Sequence, residues 1–89
     1  MSEQPTPVQK SVDIDRLVDL RTRRPVVTGE VLSARLGISH AALSKAENRK
    51  SRLPKRVTWA DYFERLLELK REAGATEEQL APWIAEIAA

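Results

Sequence analysis

The 89-residue chain contains no cysteine, which excludes disulfides and thiol chemistry and is compatible with an intracellular location. Histidine occurs once, at His40, and no group of side chains has metal-ligand spacing. With only three glycines there is no Gly-rich phosphate loop, and no nucleophile elbow is present either. The expectation is a protein that is not an enzyme and holds no cofactor or metal. Aromatic residues make up 4% of the chain, and none lies in its basic stretch, which speaks against stacking on unpaired RNA bases. No apolar run is long enough to span a membrane. Residues 1–11 are polar, with Pro5 and Pro7, and read as a flexible N-terminal tail rather than a signal peptide. Strand alternation and internal repeats are absent as well.

What remains is helical periodicity in a chain of 42% hydrophobic and 31% charged residues, long enough for one domain that buries about 60–65% of its unfolded surface. Such a domain gains from oligomerisation. The modest net charge of +2 hides a strong segregation. Residues 1–56 carry twelve Lys and Arg against six Asp and Glu, whereas residues 57–89 carry three against seven. The densest basic run is Lys45, Arg49, Lys50, Arg52, Lys55 and Arg56, broken only by Glu47. A polyanion can dock there while the acidic part stays away from it.

Periodicity and stop signals divide the chain further. A first helix is expected over Val12–Arg23 with an apolar stripe of Ile14, Leu17 and Val18, ended by Pro25. Thr28 then caps a second helix that faces the core through Leu32 and Leu36. Gly37 can take the left-handed conformation that ends this helix, Ile38 points inward, and Ser39 caps a third helix from His40 to about Lys50. On a 100° wheel set on Leu43, Ala46 and Lys50 lie within roughly 60° of it, and His40, Ala41, Ser44, Lys45 and Asn48 fall on the far side. The third helix thus has a small apolar seam and a slender polar face, suited to a DNA major groove about 12 Å wide. A basic loop, residues 51–57, is fastened by Leu53 and Pro54. Thr58 caps a fourth helix over Trp59–Ala73, stopped by Gly74. Thr76 opens a last segment that Pro82 is expected to break or restart.

The run Thr28 to Asn48, T-G-E-V-L-S-A-R-L-G-I-S-H-A-A-L-S-K-A-E-N, resembles the helix-turn-helix transcription factors of the Cro and phage-repressor (XRE-like) type. Leu32, Leu36, Gly37, Ile38, Ser39, Leu43, Ser44, Lys45, Glu47 and Pro54 fit the family pattern, which covers about residues 28–54. Departures are Gly29 for the usual phosphate-contacting Gln, Ser33 for Ala, Ala46 for a larger aliphatic, and Arg49 where Gly often ends the helix. The last of these suggests that the recognition helix continues by a further turn. By resemblance, Ser39, His40, Ala41, Ser44, Lys45 and Asn48 face DNA.

The expected fold class is all-α, with a helix-turn-helix core over residues 12–57 and C-terminal helices over 58–89 that support the core and dimerise. The expected function is sequence-specific repression, with the recognition helix of two copies in the major groove of a palindromic operator. For the bases we expect Ser39, His40, Ala41, Ser44, Lys45, Asn48 and Arg49. Among them, Asn48 suits adenine N6 and N7, Lys45 and Arg49 suit guanine or phosphate, and Ala41 suits a thymine methyl. Phosphates are assigned to Thr28, Arg35, Lys50, Arg52, Lys55 and Arg56. Glu47 would repel DNA and is expected to pair with Arg35 or another basic group. The hydrophobic face of the fourth helix spans roughly 180°, wider than one partner needs. Trp59, Phe63, Leu66, Leu67, Trp83, Ile84 and Ile87 are therefore expected at a homodimer interface, the competing possibility being that Trp83 and Ile87 fold back on the same chain. The location implied is the bacterial cytoplasm, at the nucleoid when bound, and by analogy of size a plasmid or phage source. An architectural, excisionase-like factor and an antitoxin-type interaction module are the alternatives.

Overall fold

A computed structural model describes residues 13–88, which form five helices and no strand. The expected tail, residues 1–11, and Val12 lie outside the described residues. The helices are α1 (Ile14–Thr22), α2 (Gly29–Leu36), α3 (His40–Glu47), α4 (Trp59–Glu72) and α5 (Glu77–Ala88). None is long and apolar enough to cross a membrane.

Each helix begins at a residue whose side chain satisfies an otherwise unpaired amide of the first turn. Asp13, Thr28 and Ser39 accept from Arg16 N, Val31 N and Ala42 N at 3.1, 3.2 and 3.0 Å. Thr58 and Asp61 cap reciprocally, both bonds at 3.0 Å, and Thr76 and Gln79 do the same at 2.9 and 3.2 Å. Three helices end alike. After α2, Gly37 at φ 76° lets its own amide reach Ala34 O and that of Ile38 reach Ser33 O, at 3.1 and 3.0 Å. Gly74, at φ 103°, closes α4 through the same pair of bonds.

The third such ending corrects an expectation. α3 does not continue to Lys50: it stops at Glu47, with Asn48 as its C-cap and Arg49 in the left-handed region at φ 61°. Arg49 N bonds Ala46 O at 3.1 Å and Lys50 N bonds Lys45 O at 2.8 Å, so the arginine does what glycine does elsewhere in the chain. The break expected at Pro82 is also absent, and α5 runs through it. Proline there lacks one amide donor at a cost of about 3 kcal/mol, which burial of Leu80 and partial burial of Trp83, Ile84 and Ile87 offset. In α1 the buried positions are Leu17 and Leu20, while Ile14 and Val18 are only half-buried.

Leu17, Leu20, Val27, Leu32, Leu43, Tyr62, Leu66 and Leu69 make the main core, and Leu67, Ala75 and Leu80 a second cluster beneath α5. This accounts for the wide apolar face of α4 without a second subunit. Leu66 is fully buried and Leu67 nearly so, inside their own chain. Trp59, Phe63, Trp83 and Ile87 pack against the main core and Ile84 against the second cluster. Of the seven residues expected at a dimer interface, Leu66 and Leu67 are buried within their own chain, and Trp59, Phe63, Trp83, Ile84 and Ile87 are half-buried.

One buried cation holds this arrangement together. Lys70 has no exposed surface, and its Nζ donates to Arg23 O at 2.6 Å and Pro25 O at 2.7 Å, with the Trp83 ring centroid 5.3 Å away. It thus ties α4 and α5 to the loop that leads into α2. Burial, with Arg23 and Arg21 nearby, lowers its pKa to about 8.

Candidate nucleic-acid interface

The position of α3 is set from its inner side. Leu43 and Ala46 are buried, and Glu47 places its carboxylate between two other helices. Arg21 of α1 binds it in fork fashion, Nε at 2.8 Å and a terminal nitrogen at 2.9 Å, while Tyr62 of α4 donates its hydroxyl at 2.5 Å. The remaining Arg21 nitrogen donates to Val27 O at 3.0 Å. The two charged side chains are only 14% and 10% exposed. Burial opposes the charge of Arg21, but Glu47 more than compensates and keeps its pKa above the ordinary value. Burial first, and the Glu47 carboxylate second, push the Tyr62 hydroxyl well above its usual pKa. Glu47 was expected to pair with Arg35 or another basic group; the partner is Arg21, and Arg35 pairs with Glu72 instead.

With its inner side fixed, α3 turns short polar groups outward. His40, Ala41, Lys45 and Asn48 are exposed and Ser44 is half-buried. Ser39 is exposed too, its hydroxyl occupied as the cap of α3. The amide of Asn48 donates to Ser44 O at 2.8 Å and, at 3.5 Å, to the Ser44 hydroxyl, which orients the side chain at the end of the helix and leaves its carbonyl oxygen for another partner. His40 lies over the first residue of α2: a Cβ built on Gly29 would meet the imidazole Nε2 at 3.1 Å. The missing side chain at position 29 is thus what makes room for the ring.

The cations divide into free and committed. Lys45, Lys50, Arg52, Lys55 and Arg56 are exposed and have no carboxylate partner among the described residues. Arg35 is different, since its guanidinium grips Glu72 of α4 at 2.9 Å and reaches Glu68 at 3.4 Å. The Arg35 guanidinium holds the Glu72 carboxyl below its usual pKa. Arg35, expected at a phosphate, is 35% exposed and already paired, so a phosphate would have to compete with these carboxylates for it. Arg49 meets Asp15 of α1 at 3.1 Å, and Thr28 stands exposed at the start of α2 with its hydroxyl capping Val31.

Sequence reasoning did not find Arg21, Tyr62, Asp15 or Lys70. A signal existed for Arg21, which continues the i, i+3, i+4 row of Leu17 and Leu20 and so had to face inward. For Asp15 there was none, because its partner is 34 residues away in sequence.

No protein-family model, curated protein or solved structure matches this chain. Its site has to be argued from its own side chains.

Proposed function

We propose that this chain is a sequence-specific DNA-binding repressor that inserts α3 into the major groove. The observation that carries the reading is the outer side of α3, a row of small hydrogen-bonding side chains flanked by Lys50, Arg52, Lys55 and Arg56 with no acidic partners among the described residues. Ala41 and Ser44 keep the rod thin enough for close approach. Asn48 can accept and donate to an adenine edge, and Lys45 can reach guanine O6 or N7. The flanking cations would bind phosphates, giving register and salt-dependent affinity without reading bases. Occupying a promoter excludes polymerase sterically and needs no effector domain.

One copy reads few base pairs, so two copies on a palindrome would multiply affinity. Leu66 and Leu67 are buried within their own chain, so such pairing would draw on the half-buried Trp59, Phe63, Trp83, Ile84 and Ile87 or on another surface. Among the described residues, Val26 and Val31 are the most exposed large hydrophobics, at 55% and 49%. Selection of bound fragments from random duplexes at physiological salt tests the whole reading. Enrichment of a defined motif is expected, with inverted half-sites about 34 Å apart if two copies bind. Retention of all duplexes alike would remove sequence-specific recognition.

A further inference from the structure

Arg49 stands where two other helices of the same chain place glycine. Gly37 and Gly74 end α2 and α4 with positive φ, and Arg49 ends α3 at φ 61° with the same pair of amide bonds. A side chain strains this conformation, and nothing in the local bonding needs one. The side chain is not there to fill the core either, since it is 55% exposed. What the arginine has is a partner: its guanidinium meets Asp15, on the first turn of α1, at 3.1 Å, and Asp15 is 78% exposed. Asp13 is the other acidic group near it, and Arg52 lines the same shallow cavity with Ile14, Ser51 and Trp59.

An exposed pair of this kind contributes little to folding, because water solvates both ions well and side-chain entropy opposes the contact. It does hold a guanidinium in a defined place at the end of α3, one residue beyond Asn48. A carboxylate and a phosphate offer the same fork of two oxygens to arginine. On the reading that α3 enters a DNA groove, we propose that Asp15 is a stand-in for a backbone phosphate: it keeps Arg49 aimed at the duplex and yields it to the phosphate on binding. Asp15 then returns to water, which its exposure makes easy. Because Asp15 and the phosphate compete for the one guanidinium, affinity for every duplex is lowered through Arg49, so that base contacts, rather than raw charge, decide where the protein stays.

The test is a double-mutant cycle on the full chain, using two probes: the duplex recovered by selection with the wild-type protein, and a scrambled duplex of the same composition. Asp15→Asn should tighten binding to both probes about two- to five-fold, the range that an exposed pair is worth. The salt dependence should steepen by up to about 0.9 in log–log slope, as for one additional phosphate contact. Arg49→Gly should weaken binding and flatten the slope by a similar amount, while its melting temperature stays equal to that of the wild type or rises. In the Arg49→Gly background Asp15→Asn should bring no gain beyond the experimental error. An equal gain in both backgrounds would mean that Asp15 acts only through general charge, and a fall in melting temperature for Arg49→Gly would make the arginine a structural staple. Either result overturns the assignment. Failure of the wild-type chain to bind any duplex instead defeats the parent reading, and this one with it.

Discussion

The two sides of α3 are built on opposite physical terms. Its inner side holds Leu43 and Ala46, both buried, and the Glu47 side chain, only 10% exposed, with every oxygen of its carboxylate in a short bond to Arg21 or Tyr62. Its outer side holds His40, Ala41, Lys45 and Asn48 in water. A buried charge deprived of its partner costs several kcal/mol, while an exposed one deprived of its partner costs almost nothing. The inner side can therefore fix the helix rigidly, and the outer side can vary in sequence without unfolding the protein. That division is what a reading head on a scaffold requires.

The largest expected effect comes from breaking the inner side. Glu47→Ala leaves the Arg21 guanidinium and the Tyr62 hydroxyl buried without their acceptor and should destabilise the protein by about 3–5 kcal/mol, enough to unfold much of it, as read by urea denaturation. A loss below about 1 kcal/mol would mean that the network does not anchor α3. On the outer side the signs separate: Asn48→Ala should leave stability within about 0.5 kcal/mol but relax base choice by about 1–3 kcal/mol at one position of the selected site. Unchanged selectivity would take Asn48 out of the base-reading set.

A pH series sharpens the comparison from the scaffold side, where Lys70 is buried without a carboxylate. Its pKa is lowered to about 8 in the folded chain, so between pH 8 and about 10 the unfolded chain binds more protons than the native one. Stability should rise by about 1–2 kcal/mol over that window, and Lys70→Met should remove the rise. Above pH 10 the trend reverses, because Tyr62 keeps its proton in the fold after an unfolded tyrosine has lost it. The smallest effect is expected at Arg52, exposed and without an acidic partner among the described residues. Arg52→Ala should weaken all duplexes alike and reduce the salt slope by about 0.9, with stability unchanged. A change confined to the selected duplex would move Arg52 from phosphate to base contact.

Much of the fold was legible because it depends on neighbours in sequence. Thr28, Ser39 and Thr58 cap where short polar side chains before apolar periods must cap, and Gly37 and Gly74 stop helices where a positive φ is free of cost. The same local logic failed twice. It took Arg49 as a sign that the third helix continues and Pro82 as too disruptive for a helix interior; at Arg49 local amide bonds close the helix in the left-handed conformation, and at Pro82 the packing of α5 on the core prevailed. The outward face of α3 followed from periodicity alone, since Leu43 and Ala46 fix its rotation. The fate of Arg35 did not, because Glu68 and Glu72 lie more than 30 residues on, and an arginine on a helix surface looks the same in sequence whether water or a carboxylate faces it.

Sequence by itself determined the helices, their caps and which side of the third one meets solvent, all of them consequences of bonds and rotations spanning a few residues. Tertiary structure alone decided which charges are spent and which remain available. It also decided that Leu66, Leu67 and Leu80 are buried within their own chain, because burial and ion pairing depend on segments that only the packed fold brings within a few ångströms of each other.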